Sequence, residues 1–166
     1  MNTPKVLIVH HTGGTNADPL ADTSHHTAEM IRAWHLAKGW DDIGYNWVIE
    51  KTGKIVKGRD EKIAGAHTIG WNSMSIGVCL SGNFDATLPT PEQISSFKKL
   101  YLELKERYPI LEPDKVFPHR KFASKTCYGR KLTDDWAANL AREALNIPFN
   151  SKEEIKKQII ALLAKL

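Results

Sequence analysis

Neutral imidazole and thiolate are the donors that borderline-soft Zn²⁺ prefers, and a catalytic zinc site needs three protein ligands with a fourth position left for solvent. The stretch Pro118-His119-Arg120-Lys121-Phe122-Ala123-Ser124-Lys125-Thr126-Cys127 offers two such donors in one loop. His119, Lys125 and Cys127 stand there at offsets of zero, six and eight. A third ligand has to come from elsewhere in the chain. Val6-Leu7-Ile8-Val9-His10-His11-Thr12 sets a pair of histidines where an apolar run stops, and a histidine at the end of a buried strand can look into a cleft. Strand alternation sends neighbouring side chains to opposite faces, so only one of His10 and His11 can join a given site. Spacing does not choose between them, and a histidine there serves equally well as a hydrogen-bonded core residue.

The elements that must position these residues alternate between strand and helix patterns. Lys5 to His10 is β-branched and apolar and ends at Thr12-Gly13-Gly14, the pattern of a buried strand. A helix is expected from about 23 to 38, closed by Gly39. His25, His26 and His35 fall on it or its cap and read as structural or exposed. Gly44 to Glu50 reads as a strand, and Thr52-Gly53 turns it back into Lys54-Ile55-Val56 as a hairpin. Ser75 to Ser81 is a second buried strand in which Cys79 reads as a small hydrophobe. Thr90, Pro91 and Gln93 form a helix start with a capping box, and a helix is expected over 91 to 107. Val116-Phe117 leads into the His119 loop, and a third helix is expected over about 134 to 145. The pattern is that of one α/β domain with a central mixed sheet flanked by helices, its site in a groove at one edge of the sheet.

Three further regions carry candidate chemistry. Tyr45 heads a strand, as a core aromatic or as a phenol aimed into the cleft. Lys125 would be an exposed loop lysine by default, but its fixed distance from two proposed ligands makes it a candidate for stabilising an oxyanion. Ala64-Gly65-Ala66-His67-Thr68-Ile69-Gly70-Trp71-Asn72 is small, glycine-punctuated and then aromatic and polar. It is either a binding-loop wall or a long connection packed by its own tryptophan.

The 166 residues, 42% hydrophobic and 25% charged, suit one globular domain with its own core. No apolar run approaches the roughly 18 residues of a membrane span, and the Val6–Val9 run is too short for a signal peptide. Two cysteines do not make a disulfide framework. A net charge of +4 favours anionic polymers, yet the basic residues are scattered and no nucleic-acid motif stands out.

As a set, Val9-His10-His11-Thr12, Gly44-Tyr45-Asn46, Gly58-Arg59-Asp60, Ser75 through Phe84, and His119 through Lys125 to Cys127 resemble the zinc-dependent N-acetylmuramoyl-L-alanine amidases of the peptidoglycan recognition protein superfamily. The likeness extends to the phage endolysins within that superfamily. The likeness runs over roughly residues 5 to 146 and implies the type-2 amidase fold. It selects His10, His119 and Cys127 as ligands of one catalytic Zn²⁺, and Tyr45 and Lys125 as catalytic. It also sets the loop of His67, Trp71 and Asn72 along the substrate groove. The bond implied is the amide joining N-acetylmuramic acid to L-alanine. Tyr128 departs from the resembled pattern, in which many relatives have proline after the cysteine.

The resemblance implies an endolysin held in the host cytoplasm until lysis, with peptidoglycan as substrate. The alternatives are a non-catalytic peptidoglycan-binding module and a regulatory role through a protein partner, since phage relatives also bind an RNA polymerase. The amidase domain is expected over 1–147 and a helical extension over 148–166. In that extension Ile155, Ile159, Leu162 and Leu166 make a narrow apolar face among lysines, suited to packing on the domain, self-association or a lipid surface.

Overall fold

A computed structural model of the chain describes residues 1–146; the C-terminal helix expected over 151–166 lies outside the described residues. Five strands form one sheet: β1 (Val6–His11), β2 (Trp47–Ile49), β3 (Ile55–Lys57), β4 (Ser75–Leu80) and β5 (Val116–Pro118). Their order is β3-β2-β4-β1-β5, and every pairing is parallel except the β2–β3 hairpin. Both β1 and β4 are buried along their whole length. That explains why they read as unbroken apolar runs, since parallel strands are covered on both faces.

Three helices cover the sheet: α1 (Ala28–Ala37), α2 (Pro91–Arg107) and α3 (Trp136–Ala144). Leu7 and Val9 of β1 and Ile76, Val78 and Leu80 of β4 face one layer, where they meet Phe97, Leu100, Tyr101 and Leu104 of α2 and Ala137 and Ala141 of α3. Cys79 faces the other layer with Ala28 and Ile31 of α1, Ile43 and Val48. It is a core residue with no exposure. The capping box at Thr90 is formed in full, with the Thr90 hydroxyl accepting from Gln93 N–H and the Gln93 side chain returning to Thr90 N–H.

Three boundaries differ from the expected ones. Helix α1 begins at Ala28, capped by Thr27, and not near 23, because Asp22 folds back onto Ser24 N–H and the Thr23 hydroxyl donates to Gly13 O. These bonds tie the turn to the end of β1. The ladder of β2 starts at Trp47 and not at Gly44: Gly44 bonds to His35 and Ala66 and Tyr45 to Arg59, while Asn46 joins β4 partly through its side chain, its N–H donating to Gly77 O and its Oδ1 accepting from Gly77 N–H. Helix α3 starts at Trp136 because Asp134 is taken by Arg120.

Candidate metal centre

His10 is the fifth residue of β1 and lies beside Cys79 of β4, so it faces the α1 side of the sheet. Its neighbour His11 points to the opposite layer, where its Nδ1 accepts from Phe84 N–H at 3.0 Å. His119 opens a 3₁₀ turn directly after β5, and Cys127 lies on the loop that follows. Since β1 and β5 pair in parallel, the ends of both strands come to the same side of the sheet. His10, His119 and Cys127 meet there, their donor atoms all within 4.8 Å of one another. The site therefore lies at the carboxyl ends of the strands, with β1 flanked on both sides. The groove expected at one edge of the sheet is thus the edge formed by the carboxyl ends of the strands, the general position for sites in open α/β sheets.

Side-chain geometry fixes which atoms face the centre. His10 Nδ1 is 3.7 Å from Cys127 Sγ, and the His10 and His119 rings are 4.5 Å apart. Zn–N near 2.1 Å and Zn–S near 2.3 Å in a tetrahedron put N and S about 3.6 Å apart, so this pair is spaced for one such ion. Cys127 Sγ also accepts from His11 N–H at 3.4 Å.

The loop carrying Cys127 is held by groups that take no part in ligation. Arg120 N–H donates to Cys127 O at 2.6 Å. Its guanidinium donates to Gly129 O and Leu132 O at 2.7 Å each and pairs with Asp134. Asp85 accepts from the Thr126 hydroxyl and from Arg130 N–H, each at 2.7 Å. Tyr128 is fully buried, with its hydroxyl 2.9 Å from both Thr133 O and Asp134 O. The chain after Cys127 is thus anchored by a tyrosine where the resembled pattern has proline.

A cleft of about 850 Å³ opens over the three donors. Tyr45, His67 and Lys125 line it with them, and the Tyr45 ring lies 5.1 Å from that of His10. Tyr45 is set by Arg59, whose guanidinium donates to Asp42 O, Ile43 O and Ala64 O, while Arg59 N–H donates to Tyr45 O. Arg59 is a clamp on backbone carbonyls, where its sequence neighbourhood suggests a surface ion pair. Trp71 and Asn72 do not line the cleft. Trp71 packs on Phe122 with ring centroids 4.6 Å apart, and Asn72 Oδ1 accepts from His67 N–H and Thr68 N–H. They support the loop that presents His67.

Sequence reasoning missed the far wall. His35, Lys38 and Trp40, at and beyond the end of α1, line the cleft together with Thr15, Asn16 and Pro19. His35 is structural as well, its Nδ1 accepting from Gly44 N–H at 3.0 Å with its ring 4.4 Å from Trp40. The available signal was a tryptophan just past a helix-ending glycine, a large aromatic with no helical face to fill.

Residues 1–131 match the family model described as N-acetylmuramoyl-L-alanine amidase. The chain belongs to that family. The amidase is 38% identical over 115 residues to the endolysin of Escherichia phage T7, covering 66% of this chain and 74% of that one. It is 33% identical over 129 residues to peptidoglycan-recognition protein SC2 of Drosophila melanogaster, covering 77% and 70%. Its fold superimposes on the N-acetylmuramoyl-L-alanine amidase LysC from Clostridium intestinale URNW with a TM-score of 0.72, at 27% identity over 89% of this chain and 88% of that one.

The electrostatics of the amidase's site suit a cation. Burial holds His10 well below the ordinary imidazole value, and burial followed by the Lys125 charge lowers His119, so both rings are neutral donors at pH 7. Burial pushes the Cys127 thiol up to about 12, so the thiolate forms there only against a positive charge such as a divalent ion. Burial also raises Tyr45 well above 10, which keeps its phenol protonated as a hydrogen-bond donor.

His11 supplies a pH prediction. Burial, opposed by the Asp85 charge, lowers it from 6.5 to about 4. Between those values the unfolded chain holds a proton that the folded chain does not. The stabilisation is therefore complete above about pH 6.5 and is lost as the pH falls toward 4, amounting to about 3 kcal/mol. Denaturant unfolding of metal-stripped amidase at pH 7, 5.5 and 4 will show this slope, and His11→Asn, which keeps an acceptor for Phe84 N–H, will make it shallower.

Proposed function

We propose that this amidase is a zinc hydrolase that cuts the amide between the lactyl group of N-acetylmuramic acid and the L-alanine of the stem peptide, acting as an endolysin held in the host cytoplasm until lysis. The observation that carries the reading is the convergence of His10, His119 and Cys127 beneath an open cleft with Tyr45 and Lys125 on its walls. Two neutral imidazoles and one thiolate, from His10, His119 and Cys127, would hold a divalent ion at a net charge near +1. Such an ion supplies polarisation of the scissile carbonyl and a water acidic enough to react at neutral pH.

The remaining work falls to the chain's own groups. An amide is a weak electrophile, and negative charge builds on its oxygen as it is attacked. Lys125, exposed at the cleft mouth with its charge felt at both His10 and His119, is placed to offset that charge. Tyr45, protonated and packed beside His10, can donate a hydrogen bond to the reacting group or pass a proton to the departing amine. The walls from His35 to Trp40 and from Thr15 to Pro19 give the cleft room for an extended glycopeptide. None of the described helices is long and apolar enough to cross a membrane.

The test is chelation followed by mass spectrometry. Purified enzyme treated with a chelator should stop clearing suspensions of purified cell walls, and stoichiometric zinc should restore clearing. Digested sacculi should yield stem peptides with free L-alanine amines and glycan strands with intact lactyl carboxylates. New reducing sugar ends without free L-alanine amines would show that another bond is cut.

A further inference from the structure

His67 lines the cleft, but neither of its ring nitrogens is available to a substrate. Its Nδ1 lies 3.0 Å from His10 Nε2 and 3.0 Å from the Thr68 hydroxyl, which is itself 3.5 Å from His10 Nε2. Its Nε2 is sealed from solvent and has no hydrogen-bond partner among the described residues. The ring is held between two backbone segments that only glycine permits. A Cβ on Gly77 would come 2.5 Å from His67 Cδ2 and 2.6 Å from its Nε2, and a Cβ on Gly65 would come 2.5 Å and 2.8 Å from the same atoms. The backbone N–H groups of His67 and Thr68 are fixed by Asn72 Oδ1. Loop and strand together hold this imidazole against His10.

The contact decides which nitrogen of His10 carries its proton. Neutral imidazole has one N–H and one bare nitrogen, and a metal ligand must present the bare one. The nitrogen of His10 that faces Cys127 is Nδ1, so in the ligating tautomer Nε2 carries the hydrogen and needs an acceptor. His67 Nδ1 is that acceptor only if the His67 proton sits on Nε2. The reverse arrangement, with His67 Nδ1–H donating to His10, would put a proton on His10 Nδ1 where the metal must bind.

We propose that His67 is a positioning residue for the metal centre: its Nδ1 accepts the Nε2–H of His10, fixing both the ring orientation and the tautomer in which His10 Nδ1 can ligate. This rests on the zinc reading above. It gives His67 a role behind the ligand, where the sequence suggested a contact with substrate, and outer hydrogen bonds of this kind set metal affinity.

Zn²⁺ affinity of the full chain, measured by competition with a chromophoric chelator, tests it. His67→Phe fills the space between the two glycines but offers no acceptor, and it should bind zinc about 10- to 100-fold more weakly than the wild type. His67→Asn leaves a void but keeps an acceptor where Nδ1 was, and its affinity should stay within about threefold. A role in packing alone predicts the opposite order. Wild-type affinity in His67→Phe, or equal losses in both variants, overturns the proposal. Failure of Cys127→Ala to weaken zinc binding overturns the zinc reading and this inference with it, and is recognised separately from the His67 series. Nitrogen-15 NMR of the zinc-loaded wild type needs no variant. A scalar coupling between His10 Nε2 and His67 Nδ1, with the proton bonded to His10, is expected; a proton bonded to His67 Nδ1 sinks the assignment.

Discussion

Cys127→Ala is expected to leave the protein folded, strip it of zinc and abolish wall clearing. Four-ligand structural zinc sites are worth about 10 to 16 kcal/mol at neutral pH, so one ligand is worth about 2.5 to 4 kcal/mol, roughly a hundredfold to a thousandfold in affinity. Metal analysis after gel filtration would read near zero where the wild type reads one ion per chain. The fold should survive because the loop's anchors, Arg120, Asp85 and Tyr128, are all retained. Unfolding midpoints of metal-stripped wild type and variant should therefore coincide closely. A variant that kept its zinc would remove Cys127 from the centre. A variant that lost zinc and still cleared walls would show that the ion has no part in hydrolysis.

Lys125→Ala and Tyr45→Phe should give the complementary result, a full complement of zinc with turnover reduced by about 10²- to 10³-fold, the usual cost of removing one preorganised group from a charged transition state. Tyr45→Phe removes only the hydroxyl and keeps a ring to pack beside His10, so any loss of metal from it would contradict the role given to the phenol. Lys125 makes its contribution as charge at the cleft mouth. Lys125→Met, which keeps the stem and deletes the charge, should be as inactive as Lys125→Ala. Pull-down of intact peptidoglycan should be nearly unchanged in all three variants, which separates impaired chemistry from impaired binding. If all three cleared walls at the wild-type rate, a binding role without chemistry at these two positions would follow.

The parts of the site that were legible from sequence are those governed by local rules. Alternation along β1 separates His10 from His11, and the structure does send them to opposite layers. The capping box at Thr90 and the stripe from Phe97 to Leu104 are local patterns, and α2 matches its expected span of 91 to 107. What was not legible depends on partners far away in the chain. Arg59 and Arg120 look alike in sequence to any surface arginine, and both prove to be clamps on backbone carbonyls. Which carbonyls they reach is decided by chain crossings that no short window contains. Asn72 and Trp71 have the right types for a binding wall. Their placement behind the loop follows from two N–H groups needing an acceptor and from Phe122, at the end of the 3₁₀ turn after β5 and about fifty positions later, arriving against Trp71. His35 reads in sequence as structural or exposed, and it does hold Gly44 N–H; that it also sits where α1 ends over the cleft depends on chain packing no local window contains.

Arg120 carries a final consequence. Its guanidinium's contacts to Thr126 O, Gly129 O and Leu132 O and its pairing with Asp134 are made wholly within the polypeptide, so the turn bearing the thiol owes its shape to an organic cation already built into the chain. Loading should then be an encounter between an ion and a finished receptacle, quick on entry and free of any folding phase. Where zinc is scarce after synthesis, the protein can wait empty without unravelling and become competent within the time an ion takes to diffuse to it.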